Sequence, residues 1–401
     1  MSSTNDGTGF PFFRLLVLSG AIFASVSSEF LPTGLLPEMA AELKVSESQI
    51  GLLITAFAGT VVLTAAPLTT LTRGYSRKWL MVVLLGVFAL TNLLCALSQS
   101  YELLMVARIL GGAAHGLFWA VTGPYAALLV PANQLTRAIS VTNAGGTAAF
   151  ILGVPFGTFL GHSLGWRMAF AAMAVIVFVF AVFVIVYLPP VSHRVPLATG
   201  EIAVPVHRDR TLGSVVIVCL TVAVVAIGHN AFYTYIAPWS IQVGGIDPEW
   251  VSGLLLLYGA AGAIGLALGG AFGDRYPRAT VGITVGGIAV SILLLAAFGT
   301  DAVPVTIGVV IWSASFGGFP ALMHARNLRA ASPNIRDHAA AWLTIAFNLS
   351  IGGGALLGGL ILDGVGIEAI PWFGAAIVAG GLALVLVSDF RTRASALPGG
   401  R

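Results

Sequence analysis

The chain has 401 residues, of which 57% are hydrophobic and only 9% charged, against a charged share of roughly 25% in soluble domains. That balance excludes an ordinary water-soluble enzyme or nucleic-acid binder and implies a polytopic membrane protein. The net charge of +3 says less than where the basic residues fall, and Cys95 and Cys219, in separate apolar runs, argue for buried thiols and against a disulfide framework or metal cluster.

The first apolar run begins near Phe12 and contains SSEFLPTGLLP, Ser27 to Pro37, with Glu29 inside it. A charged group in a membrane span costs roughly 2.5–3.5 kcal/mol on insertion scales, so it is usually kept for an ion pathway, a substrate site or a proton relay. The alternative is that Glu29 snorkels to the surface, which its short side chain and the neighbouring Pro32 and Gly34 disfavour. Residues 14 to 28 resemble a secretory signal, but the run continues through Leu36 and eleven more follow, so it reads as the first span of a set.

Runs able to supply about 20 residues of spanning helix occur near 12–36, 50–71, 79–97, 101–130, 135–164, 167–188, 212–243, 250–272, 280–299, 303–323, 338–362 and 370–390. Twelve spans put both termini on one side. Of the 19 basic residues, only Lys44 and Arg167 fall on the opposite side and Arg108 inside a span. The positive-inside rule therefore makes the terminal side cytoplasmic, as expected for a bacterial cytoplasmic (inner) membrane protein.

The proline-rich segment after Pro189 divides the spans six and six. The expected organisation is an amino-terminal bundle at 1–188, a cytoplasmic linker at 189–211 and a carboxy-terminal bundle at 212–401. An offset of 201 residues pairs Pro37 with Pro238, Tyr75 with Tyr276, Arg77 with Arg278 and Glu29 with Asn230. Weak repetition across a six-plus-six division predicts two similar bundles with a site between them.

In the fifth span Gly145, Ala149, Gly153, Gly157, Gly161 and Gly165 form a stripe with almost no side chain, interrupted by Pro155. Such a stripe permits close helix approach, and here it is expected to seal or open the interface between the halves. Gly265, Gly269 and Gly273 in the eighth span, and Gly352 to Gly354, Gly358 and Gly359 in the eleventh, repeat the theme. GHSLG at 161–165 fits a serine-hydrolase pattern but ends a membrane helix, whereas that motif needs a tight strand-to-helix turn. Neither lysine, Lys44 or Lys78, follows a glycine, so no Walker loop for ATP exists and no cofactor is expected beyond an ion gradient.

Arg108 and Glu29 both sit about 10–12 Å below the outer surface at about 1.5 Å per residue. Two readings stay open for Arg108: a partner for Glu29, or a clamp on backbone carbonyls. His115, Trp119 and Tyr125 on the fourth span, Asn143 on the fifth, His229, Asn230, Tyr233, Tyr235 and Trp239 on the seventh and Asn348 on the eleventh offer hydrogen bonds beside aromatic rings. Of these, His115, Trp119, Asn143, His229, Asn230, Tyr233 and Asn348 are the candidate substrate-binding residues.

RGYSRK at 73–78, GAFGDRYPR at 270–278, LLMVARILGGAAHG at 103–116 and GVPFGTFLGHSLGWR resemble the signature segments of the major facilitator superfamily, drug:proton antiporter branch. AHGLFWAV and GHNAFYTYIAPW resemble its sugar-efflux, arabinose-efflux permease and chloramphenicol exporter group. The resemblance implies an all-α membrane fold of two six-helix bundles, and gating roles for Arg77, Gly153, Pro155, Gly157, Gly161, Asp274 and Arg278. Arg73 stands where Asp274 stands in the second half, so the family's charge relay is incomplete in the first.

The expectation is a secondary transporter, not an enzyme, that exports a small neutral or amphipathic solute of sugar or antibiotic type in exchange for protons. Glu29 would carry the proton and Arg108 would switch it, because burial favours a neutral carboxyl and a nearby guanidinium favours the carboxylate. Its partners would be the solute, protons and lipid, without nucleic acid, and it would act as a monomer. Uptake by the same fold, a membrane-embedded enzyme and a non-transporting sensor are the alternatives.

Overall fold

The computed structural model describes residues 10–72, 74–131, 134–190 and 206–394. Arg73 and linker residues 191–205 lie outside them. Sixteen α-helices follow in chain order: α1 (Phe12–Gly34), α2 (Leu36–Leu43), α3 (Glu47–Leu71), α4 (Arg77–Leu97), α5 (Tyr101–Leu128), α6 (Leu135–Ala148), α7 (Val154–Leu164) and α8 (Trp166–Tyr187). The second set is α9 (Leu212–Tyr233), α10 (Ile236–Gln242), α11 (Val251–Gly273), α12 (Pro277–Phe298), α13 (Ala302–Gly317), α14 (Phe319–Ala330), α15 (Arg336–Gly364) and α16 (Ile370–Ala394). They make twelve segments long and apolar enough to cross a membrane, in the places the hydropathy predicts. No strand occurs among the described residues.

Local chemistry sets several boundaries. Ser46 and Gln49 cap α3 reciprocally, each side chain bonded to the other's backbone N–H, which satisfies donors that a helix start leaves free. Pro37 and Pro238 each stand within the first turn or so of a short helix, α2 and α10, after the first span of each half. The weak repeat thus corresponds to a repeated break. At the foot of α9, Asp209 accepts from the Ser332 hydroxyl at 2.5 Å and from Thr211, tying that helix to the α14–α15 connection. These bonds, that from Ser332 foremost, hold its carboxyl below the ordinary carboxylate value. The ties are therefore kept at neutral pH and lost on acidification through that lowered value.

The fifth span is α6 and α7 joined by a π-helical turn, Ala149–Gly153. Pro155, second in α7, has no N–H for the Ile151 carbonyl, and the chain absorbs the mismatch as a bulge. Pro155 thus interrupts the span as a π-helical turn, but the glycine stripe has a different neighbour from the one expected. A Cβ at Gly145 would lie 1.8 Å from the Ser19 carbonyl oxygen, and at Gly153, Gly157 and Gly161 within 2.4 Å of Ser27, Leu31 and Leu35 atoms. The stripe seats α1 inside its own half and does not face the other. Gly265, Gly269 and Gly273 likewise pack on α13 and α14. Gly145→Ala is expected to cost about 1–3 kcal/mol of overpacking, because backbone on both helices must move. Gly146→Ala, whose Cβ would be 3.8 Å from Ile22, should leave detergent-solubilised thermal stability unchanged.

Contacts between the first six spans and the last six lie toward the side opposite the chain ends. The Gln242 amide donates to Glu47 at 3.0 Å, the Thr55 hydroxyl to the Gly352 carbonyl at 3.0 Å, and Gly259 on α11 sits against the Phe150 carbonyl and the Ile151 Cα. Nearer the chain ends the facing surfaces separate. Asn348, one turn beyond Gly352, is half-buried, and Asn143, two turns beyond Phe150, is exposed. The molecule is therefore closed on one side and cleft on the side that carries Arg77, Lys78, Arg275 and Arg278, called here the basic side.

Candidate functional site

The site is assembled around α1, the most enclosed of the spans. Pro32 has no N–H to give the Ser28 carbonyl, so that oxygen is an orphan in the middle of a membrane helix. The Arg108 guanidinium supplies the missing donor, bonding the carbonyls of Ser28 at 2.9 Å and Glu29 at 2.7 Å. Its flat face lies 4.3 Å from the Phe57 ring centroid. Of the two readings of Arg108, the structure shows the carbonyl clamp. The Glu29 carboxylate does not receive its N–H groups.

That carboxylate meets His115 instead, with Oε2 3.4 Å from Nε2. The other ring nitrogen, Nδ1, is 2.9 Å from the Ser25 hydroxyl, and the Trp119 indole N–H donates to Nε2 at 2.8 Å. Phe57 and Phe88 pack edge-on to the imidazole. Ser28 donates to Asn92 at 2.8 Å, closing the polar layer on the α4 side. Glu29 is the buried acid among the described residues, and its Oε1 has no partner there. An unsatisfied oxygen in a dry interior is costly for a carboxylate and much less so for a neutral carboxyl.

In the second half His229 is sandwiched between the rings of Phe316, at 3.4 Å between centroids, and Tyr233, at 5.7 Å. Tyr258 hydroxyl lies 3.3 Å from its Nε2, and Trp312 packs against His229, Phe232, Tyr233 and Tyr258. His229 Nδ1 and Trp312 Nε1 are buried without partners among the described residues. Phe30, next to Glu29, and Phe150 in the π-turn close against Tyr233 and join the two clusters.

Of the sequence candidates, the structure gathers Glu29, Arg108, His115 and Trp119 into one cluster and His229 and Tyr233 into the other. Asn230 stands apart, bonding the Ala226 carbonyl on its own helix and packed on Gly354 of α15. Asn348 bonds Thr344, one turn back, and with Asn143 lies on the walls of the basic-side cleft. Asp274 is 3.7 Å from Arg329 within its own half, Arg278 is exposed and Arg77 half-buried. Ser25, Asn92, Tyr258, Trp312 and Phe316 join these clusters only in the structure. A signal existed for Trp312, since tryptophan favours the membrane boundary and this one lies mid-span.

Twelve membrane helices, a break after the first span of each half, and facing polar and aromatic clusters at the end of a one-sided cleft define a membrane transport protein. Residues 18–326 and 218–399 match the sequence model of the Major Facilitator Superfamily, and the chain belongs to that family, whose members move solutes and are not enzymes. It is 27% identical over 369 residues, 91% of each chain, to a probable sugar efflux transporter of Mannheimia succiniciproducens. Among solved structures, an inward-facing, occupied form of a bacterial homologue of the human lysosomal transporter Spinster superposes with a TM-score of 0.77 at 14% identity, covering 95% of this chain and 97% of that one. The nucleoside transporter NupG, as a point variant, superposes at 0.73 and 16%, covering 95% and 99%. Both show the fold.

Proposed function

We propose that this protein is a secondary transporter that exports a small, neutral, polar or amphipathic solute of sugar type in exchange for protons. The observation that carries the reading is Glu29, a buried carboxyl with an unpartnered oxygen beside a histidine. It lies on the most enclosed span, and its histidine neighbour is bonded in turn to the part-exposed Trp119. The relative named as a sugar efflux transporter supports the substrate class and direction.

The basic side is taken as cytoplasmic in a bacterial inner membrane, so the state described is inward-open. The segment 189–211 would join two bundles, 1–188 and 212–401, that rock about the site as a monomer with no cofactor. Asp274, Arg278 and Arg77 would engage across the basic side when it closes, with the π-turn before Pro155 allowing the fifth span to bend.

Among the described residues the site carries one buried carboxyl, Glu29, and one buried guanidinium, Arg108, already spent on carbonyls. A cationic solute would have to displace the proton from Glu29 and would find no second counter-ion, and desolvating it there is expensive. Export in vesicles should therefore follow a proton gradient for a non-metabolised galactoside or chloramphenicol and be weak for ethidium. Collapse of the gradient should abolish it. Gradient-driven movement in the reverse direction would make the protein an uptake permease, and strong ethidium efflux alone would overturn the neutral-solute reading.

A further inference from the structure

The geometry at His115 points to a role for Trp119: we propose that its indole N–H is the group through which proton and solute exclude one another, with His115 as the switch between it and Glu29. The inference rests on the proton-coupled reading above. An indole N–H only donates, so in the observed arrangement Nε2 of His115 is an acceptor and carries no proton. Nδ1 then holds the ring proton and donates to Ser25. Glu29 Oε2 faces the same Nε2 at 3.4 Å, and two bare acceptors repel there unless the carboxyl is protonated. The arrangement is thus the proton-loaded one, with Trp119 tied to the imidazole.

Loss of the proton reverses the polarity. A carboxylate at Glu29 needs a donor, and Arg108 is committed to the Ser28 and Glu29 carbonyls. His115 supplies it. The Glu29 O–H bond breaks as Nε2–H forms, and the Nδ1 proton leaves past the Ser25 hydroxyl that faces it, ending on water. Ser25, whose hydroxyl serves either way, turns from acceptor to donor. One proton is released in all, and Nε2, now bonded to the carboxylate, no longer accepts from Trp119.

Trp119 is 37% exposed, so its indole is the part of this cluster that a solute can reach, and the freed N–H can donate to an oxygen of a hydroxylated ring that stacks on the indole. Proton and solute thereby compete for Trp119 without touching the same atom. Among the described residues, the other ionisable groups around the pair are Arg108 on α5 and Cys95 on α4, with His229, Tyr233 and Tyr258 beyond Phe30 on α9 and α11. Phe57 on α3 and Phe150 in the π-turn add none.

The test is the indole 15N–1H spectrum of the purified full chain in nanodiscs across pH. Trp119→Phe assigns one of the eight tryptophan peaks, and the other seven report the fold. The Trp119 peak is expected to move between two limits with pH in the wild type, to be pH-independent in Glu29→Gln, and to stay at the released limit in His115→Phe. Added non-metabolised galactoside should shift it only in the released form, its apparent affinity falling about tenfold per pH unit below the transition. A stationary peak in folded wild type, or the same movement in Glu29→Gln, overturns the switch. If the peak behaves as expected while Glu29→Gln still exports with a gradient, the switch stands and proton coupling through Glu29 falls.

Discussion

Glu29→Gln is expected to abolish proton-driven export while leaving solute counterflow in place. The amide keeps the volume of the carboxyl and its ability to meet His115 Nε2, so α1 keeps its packing and Arg108 keeps its two carbonyls. What is lost is titration. Without a group that loads and unloads a proton inside the closed site, the gradient has no differential grip on the two states, and accumulation should fall at least about tenfold, or about 1.4 kcal/mol of coupling. Counterflow needs only alternation and binding and should persist at solute concentrations high enough to offset the Trp119 contact that a neutral side chain at position 29 keeps tied to His115. The decisive measurement is both fluxes on one vesicle preparation. Gradient-driven export equal to wild type would remove Glu29 from the mechanism and pass the role to His115 or His229.

Gly259→Leu is expected to push the protein toward the state open on the side opposite the basic cleft. A Cβ there would lie 2.2 Å from the Phe150 carbonyl oxygen and 2.5 Å from the Ile151 Cα, backbone atoms of the other half that have no rotamer to retreat into. The clash exists only while that side is closed. Overpacking of about 1–3 kcal/mol borne by one state alone shifts the equilibrium by roughly 5- to 150-fold. Spin labels at Ser163→Cys and Thr300→Cys, in a chain without Cys95 and Cys219, would read it as a lengthened distance. Gly270→Leu on the same helix, with open space at its Cβ, should leave the distribution unchanged. An unchanged distribution in a folded Gly259→Leu protein would mean that the two halves do not part at this contact.

These expectations draw on the sequence unequally. The buried acid at Glu29 was legible because charge in an apolar run is costly wherever the run goes. The Arg108 clamp was half legible: Pro32 alone implies an orphan carbonyl at Ser28, but which donor reaches it depends on how α5 meets α1. Gly259 carries no mark in the sequence because its value lies in what stands opposite, and for the same reason the fifth-span stripe does not declare α1 as its neighbour.

Local rules settled the twelve spans, the breaks at Pro37 and Pro238 and the bulge before Pro155. Length, hydropathy and the missing proline N–H belong to each segment by itself and act before any helix has a neighbour. The tertiary structure decided the rotation of each helix about its axis, and with it which glycines touch α1, which touch the other half, and that Glu29 faces a histidine. Helices apolar on nearly every side carry little polar stripe to declare an inner face, and with lipid as apolar as leucine the choice falls to close packing and to the few hydrogen bonds that must be made.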